Sequence, residues 1–176
     1  RVAQAERPGP VHLELPEDIA AAPVEEIRLI PPHHTEQPVG CPAAIAAAAE
    51  VVRGAERPLI MLGADAARPR CCHALSGFVA RMQIPYVTTQ MGKGTVSGAT
   101  DLYLGTAALT EDDYVHDAIE QADVIVTIGH DTSEKPPFAM SDPSKTVIHI
   151  GFRPAVVEQV YFPQLEVVGD IEPTLQ

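Results

Sequence analysis

The sequence predicts an α/β protein, a Rossmann-like three-layer sandwich with a mainly parallel sheet of about six strands and helices on both faces. Two short apolar runs that end in glycine, Pro58-Leu-Ile-Met-Leu-Gly63 and Asp123-Val-Ile-Val-Thr-Ile-Gly129, suit strands buried on both sides. Helical patterns of about ten residues or more alternate with strands of this kind, which is the arrangement that parallel sheets require. With 176 residues, 45% of them hydrophobic, the chain is long enough for one domain with a substantial core.

The first forty residues stand apart. Pro8, Pro10, Pro16, Pro23, Pro31, Pro32 and Pro38 exclude helix interiors and central strands from most of this stretch. It reads as a linker with one short strand at Val11 to Leu15, ahead of a nucleotide-binding-like α/β domain over residues 41–176. A helix is predicted over Pro42 to Arg53, from strong helix formers with a proline in the first turn and Gly54 at the end. Pro58 to Gly63 is the next strand. Pro69 to Met82 is a second helix, with Leu75, Phe78, Val79 and Met82 on one face.

Ile84 to Thr89 is a β-branched and aromatic strand, and the glycines at 92, 94 and 98 mark a loop after it. A helix with an acidic start runs from Asp112 to Gln121 into the strand at Asp123 to Gly129. Thr146 to Ile150 and Leu165 to Val168 are two more strands, with a short helical turn near Pro154 to Val160 between them. Glu172 to Gln176 reads as the first turn of a helix after Gly169-Asp170. Both ends look cut, as expected of an excised domain.

Charge and composition narrow the function classes. Twelve Lys plus Arg against 24 Asp plus Glu give a net charge of −12, with no basic stripe, which argues against nucleic-acid binding. No apolar run approaches the roughly 20 residues that span a bilayer, so no membrane partner is expected and a soluble cytoplasmic protein is the simplest expectation. Cys41, Cys71 and Cys72 are an odd number in a chain that needs no staples, so free thiols are expected. Consecutive residues of Cys71-Cys72-His73 point about 100° apart on a helix and do not converge on a metal ion.

In an open parallel sheet, ligands bind beyond the carboxyl ends of the strands, where strand order reverses. Those ends are Gly63-Ala64-Asp65, Thr88-Thr89-Gln90-Met91, Gly129-His130-Asp131 and Ile150-Gly151-Phe152. The residues nominated for cofactor binding are Gly63, Ala64, Thr89, Gln90, Met91, Gly129, His130, Asp131 and Gly151. Glycine lets a ligand approach the backbone closely, although ordinary strand-to-helix turns also use it. A G-x-G-x-x-G opening a helix, a G-x-x-x-x-G-K-[ST] loop and a G-x-S-x-G elbow are all absent. Asp131, Ser133, Glu134 and Lys135 follow a strand end and could meet a ligand or form a polar loop. Glu111-Asp112-Asp113 is explained by helix-start capping. His33 and His34 read as solvated linker residues, and His149 as a satisfied core or strand-end histidine. No catalytic residue and no metal ligand is nominated.

Taken in order, Gly9-Pro-Val-His-Leu-Glu-Leu-Pro-Glu-Asp18, Pro85-Tyr-Val-Thr-Thr-Gln-Met-Gly-Lys-Gly94, Ala122-Asp-Val-Ile-Val-Thr-Ile-Gly129, Val147-Ile-His-Ile-Gly151 and Val168-Gly-Asp170 resemble the thiamine-diphosphate-dependent enzymes. The resemblance is to the central domain, closest to the acetolactate synthase large subunit. It implies flanking pyrimidine- and diphosphate-binding domains in the same polypeptide, which hold thiamine diphosphate and magnesium at the dimer interface of a homo-oligomer. It implies a transferase or lyase acting on a 2-oxo acid, and an inactive, largely monomeric fragment. In such families the central domain carries FAD in acetolactate synthases, ADP in some acyl-coenzyme A decarboxylases, or nothing.

By position, the FAD-facing segments are Gly63 to Asp65, Thr89 to Gly92, Gly105 to Ala108, Gly129 to Asp131 and Ile150 to Phe152. This chain departs from the family pattern there. Acetolactate synthases typically have Gly-Met-His-Gly at Gly105 to Ala108 and Gly-Ala-Arg-Phe-Asp-Asp-Arg at Gly129 to Lys135. Their Asp-Ile-Asp-Pro stands at Ile150 to Pro154. The loss of both arginines removes charge-assisted donors suited to phosphate, and the loss of the acid removes a ribose acceptor. The departures point to an altered or vacant nucleotide site. A stand-alone NAD-linked enzyme and a purely structural interface module are the alternative readings.

Overall fold

The computed structural model describes residues 2–31, 37–107, 114–134, 142–157 and 161–176. Residues 1–36 form one unit and 37–176 another.

In the first unit the one regular element among the described residues is a single helical turn, α1, Glu17–Ala20, entered from Pro16. The strand expected at Val11 to Leu15 is not formed. Among the described residues it has no pairing partner, and a strand needs a neighbour to take its N–H and C=O groups. Val11, Leu13 and Leu15 are 58%, 93% and 71% exposed, and Ile27, Leu29 and Ile30 are exposed as well.

The second unit is built on a six-stranded sheet in the order β3-β2-β1-β4-β5-β6, every pairing parallel. Its strands are β1, Pro58–Leu62; β2, Tyr86–Thr89; β3, Tyr103–Ala107; β4, Val124–Ile128; β5, Thr146–Gly151; and β6, Leu165–Val168. β3 was not anticipated. Its sequence is broken by Gly105, which takes a φ of +133° open to glycine, and its register on β2 shifts between Tyr86 and Val87.

The helices are α2, Pro42–Gly54; α3, Pro69–Met82; α4, Tyr114–Gln121; and α5, Ile171–Thr174, with a 3₁₀ turn at Ala64–Ala67. Proline opens both α2 and α3, where a missing N–H costs nothing. α5 starts as expected, with the Asp170 side chain accepting from the Glu172 N–H at 3.2 Å. The beginning of the predicted Asp112 to Gln121 helix and the Glu111-Asp112-Asp113 cap fall outside the described residues, as do His33, His34 and Lys135 to Pro137. The helical turn near Pro154 to Val160 is corrected over 154–157, which are not helical; 158–160 lie outside the description. The Ala155 N–H instead donates to the Glu166 carboxylate at 2.9 Å.

Alternation along each strand divides the core in two. Ile60, Leu62, Val124, Val126, Ile128, Ile148 and Ile150 join Leu75, Val79, Ile171 and Leu175 on the side of α2, α3 and α5. Leu59, Met61, Val87, Ile125 and Val147 meet Val115 and Ile119 of α4 on the other. An apolar gap of about 150 Å³ remains under α2, whose alanines are too small to fill it, bounded by Ile45, Ala48, Val52, Phe78 and Met82. It brings no convergent polar groups together and lies away from the strand ends, so it is a packing gap. No helix of the described residues is long and apolar enough to cross a membrane.

Candidate functional site

Strand order reverses between β1 and β4, the neighbours at the centre of the sheet. β1 leads outward to β2 on one side, and β4 to β5 on the other. A crevice opens there because the connections leave toward opposite faces. Its floor is backbone. The Gly63 N–H donates to Ile128 O at 2.9 Å, and the Asp65 N–H to Gly129 O at 3.0 Å. A Cβ on Gly63 would lie 2.5 Å from Gly129 O, and one on Gly129, at φ +65°, 2.2 Å from the Ala66 nitrogen. The turn after β2 closes over β1 in the same way, since a Cβ on Gly92 would lie 2.1 Å from Leu62 O. These glycines allow backbone to approach backbone, where for Gly63 and Gly129 the sequence suggested an approach by a ligand.

One side chain gathers the three strand ends. Glu134 accepts the Ala64 N–H on Oε2 at 3.1 Å and the Thr89 hydroxyl on Oε1 at 3.1 Å. Thr89 Oγ1 in turn accepts the Gly92 N–H at 3.1 Å. Of the nominated residues, Gly63, Ala64, Thr89 and Gly129 are therefore brought together. Gln90 and Met91 are exposed on the turn, and Gly151 lies at the far side, where its carbonyl accepts the Gly169 N–H. Ala108 falls outside the described residues. Glu134 was only one of four polar loop candidates, and its role depends on a contact 70 residues away in sequence.

His130 and Asp131 belong to the β4 side. His130 is 5% exposed, and neither of its ring nitrogens has a hydrogen-bond partner among the described residues. Burial, followed by the nearby His149, pushes its pKa down to about 4. Its ring meets Tyr161 edge-on at 5.0 Å.

Beside it runs a buried hydrogen-bonded chain. His149 Nε2 lies 3.0 Å from Arg153 O, and its Nδ1 lies 2.8 Å from the Tyr161 hydroxyl. A carbonyl only accepts, so Nε2 carries the proton, and in the neutral ring Nδ1 accepts from Tyr161. Thr127 Oγ1 is 2.8 Å from the same phenol and 3.2 Å from Ile148 O; with the phenol proton directed to His149, the single Thr127 proton is directed to the phenol oxygen and shared with that carbonyl. Burial lowers the His149 pKa and raises that of Tyr161, so both stay neutral near neutrality. His149 is thus the satisfied strand histidine the sequence suggested. Tyr161, the phenol that holds it, was missed because nothing in its local sequence marks it.

No group of three or more His, Cys, Asp or Glu among the described residues could hold a metal ion. A nucleotide pyrophosphate needs N–H donors or cations at the crevice. The residues present do not fit FAD or ADP in this respect, because the Ala64 N–H and the Thr89 hydroxyl are already directed to a carboxylate. Among the described residues, the turns after β1, β2 and β4 carry Asp65, Asp131 and Glu134 together with Arg68 and Lys93, and Arg68 lies 3.4 Å from Asp65. Neutral His130 can exchange hydrogen bonds with a hydroxyl or amide, yet brings no charge.

The comparisons agree with this architecture. Residues 45–176 match the family model described as thiamine pyrophosphate enzyme, central domain. The chain is 30% identical over 182 residues to an acetolactate synthase of Bacillus subtilis (strain 168), covering 99% of this chain and 31% of that protein. It is 31% identical over 183 residues to an acetolactate synthase large subunit of Parasynechococcus marenigrum (strain WH8102), covering 97% of this chain and 29% of that one. The crystal structure of benzoylformate decarboxylase from Polynucleobacter necessarius superposes with a TM-score of 0.72 at 22% identity, covering 98% of this chain and 33% of its own, a likeness of fold. The chain thus spans about a third of the length of these relatives. A parallel sheet in this strand order, matched along nearly its whole chain to that third, belongs to the thiamine pyrophosphate enzyme family as its central domain.

Proposed function

We propose that this domain serves a thiamine-diphosphate-dependent carboligase or decarboxylase of the acetolactate synthase type, acting on a 2-oxo acid in the cytoplasm. The observation that carries this reading is the continuous likeness of 99% of the chain to one stretch of an acetolactate synthase. The part of this domain is architectural. Thiamine diphosphate with magnesium, which supplies carbanion stabilisation when bound, would be held by the flanking pyrimidine- and diphosphate-binding domains. This chain would hold those domains in position, and by itself it would turn over nothing.

The exposed apolar residues of 1–36 support a flanking partner. Val11, Leu13 and Leu15 alternate as a half-buried strand does, yet all three are open to solvent. They would add to a sheet of the preceding domain, whose edge would take their backbone groups. Assembly into a homo-oligomer would then proceed through the flanking domains, and the 176-residue chain alone would be monomeric in sedimentation.

The test is to assay a polypeptide carrying this domain between its natural neighbours, with thiamine diphosphate and magnesium, for consumption of pyruvate and other 2-oxo acids. Cofactor-dependent consumption is expected from that polypeptide, and none from the 176-residue chain. No 2-oxo acid turnover by the longer polypeptide would refute the proposal.

A further inference from the structure

We infer that Glu134 occupies the anion position of the β1/β4 crevice with its own carboxylate, so that this domain excludes phosphate-bearing nucleotides, FAD and ADP included, instead of binding one. The inference rests on the reading of this crevice as the place where a central domain of this family would take a nucleotide.

Two donors converge on the carboxylate from two different strand ends, the Ala64 N–H after β1 and the Thr89 hydroxyl after β2, each at 3.1 Å. Neither is a neighbour of Glu134 in sequence, and the carboxylate spans them with one oxygen apiece. Two oxygens of one anion reaching two strand ends is the geometry a bound phosphate would use, here supplied from within the chain. Thr89 is fully buried and also accepts the Gly92 N–H, which fixes the direction in which its proton points. A second anion in the same place would meet a fixed negative charge at contact distance, with its donors already engaged. One unit charge opposed at about 4 Å weakens anion binding by well over tenfold at the dielectric of a protein surface.

The neighbouring loops support this. The floor is closed by the contacts of Gly63 with Gly129 and of Gly92 with Leu62, leaving no backbone N–H of Gly63 or Asp65 for a ligand, since both donate to β4 carbonyl groups. Asp131 adds a further carboxylate on the same turn as Glu134. Arg68 lies against Asp65, and Lys93 is exposed on the glycine turn.

Thermal unfolding of the 176-residue chain with and without FAD, ADP or inorganic pyrophosphate tests the inference, because a ligand selective for the folded state raises the midpoint. The comparison is between the native chain, Glu134→Gln and Glu134→Ala, each against itself without ligand. The native chain is expected to show no shift at millimolar ligand. Glu134→Ala should gain a saturable shift with ADP and pyrophosphate, at least about tenfold stronger in apparent affinity. Glu134→Gln keeps a side chain of the same shape without its charge, so it should show a smaller gain and keeps the test valid if the alanine variant does not fold. A shift of the native chain with FAD or ADP overturns the inference while leaving the crevice as a nucleotide site. No shift in any of the three proteins overturns Glu134 as the excluding group. Neither result bears on 2-oxo acid turnover, which is measured separately with the flanking domains present.

Discussion

The hydroxyl of Tyr161 lies 2.8 Å from Nδ1 of His149, and through that bond a residue outside the sheet satisfies a histidine in the middle of β5. Thr127, the register partner of His149 on β4, reaches the same phenol, so one hydroxyl joins two strands below the crevice. Replacing Tyr161 by Phe keeps the ring and removes this bridge. It leaves a buried imidazole nitrogen without its donor and should cost about 1–3 kcal/mol. Urea unfolding at pH 7 measures it, and a change below about 0.5 kcal/mol would show that the bridge contributes nothing net.

The buried histidines make stability depend on pH. The His130 pKa is lowered in the folded chain to about 4, from 6.5 in an unfolded one. The neutral ring is therefore favoured by folding, and the unfolded state takes up the proton first as pH falls. Stability from this source is complete above about pH 6.5, declines between 6.5 and 4, and changes no further below that. The loss at its full extent is on the order of 3 kcal/mol. His149, lowered by burial, acts in the same direction. Unfolding free energies measured across this window should slope downward toward acid, and His130→Phe should flatten the slope. An equal slope in both proteins would assign it to other groups.

Gly129 sits at φ +65° with no room for a side chain, because a Cβ would lie 2.2 Å from the Ala66 nitrogen. Alanine would pay for the left-handed conformation, about 1–2 kcal/mol, and for displacing the turn after β1. Gly129→Ala is expected to lose more than about 2 kcal/mol in denaturant unfolding. Gly54→Ala, at the end of α2 with open space around it, is expected to lose nothing and serves as the control.

Lys145, 7% exposed, reaches from the start of β5 to the end of α4, where its ammonium donates to Ile119 O and Ala122 O at 3.1 Å and to Glu120 O. These carbonyls have no partners within the helix, and a cation beside them also suits the helix dipole. Lys145→Met keeps most of the stem and leaves the carbonyls exposed to loss. A cost of about 1.5–3 kcal/mol is expected, with faster amide exchange confined to α4. Unchanged exchange in α4 would disprove the capping role.

The sequence by itself determined the elements whose signals are local. α3 begins at Pro69 and ends at Met82 where proline, periodicity and the following turn place it, β1 and β4 follow apolar runs that suit strands buried on both faces, and β5 and β6 fall on the two further strand segments expected. The order of the short motifs was also enough to identify the family, since each motif records a local turn or strand end. The tertiary structure alone decided the rest, because the deciding partners are distant in the chain. β3, with Gly105 in its middle, is a strand because β2 lies beside it, and Val11 to Leu15, which pairs with no described strand, is none. The glycines at 63 and 129 read as openings for a ligand, and Gly92 as part of a loop, whereas in three dimensions each admits another backbone. Nothing local distinguishes Glu134 from Asp131 or Ser133; only the folding of β1 beside β4, with β2 on its other side, brings the Ala64 N–H and the Thr89 hydroxyl to its carboxylate.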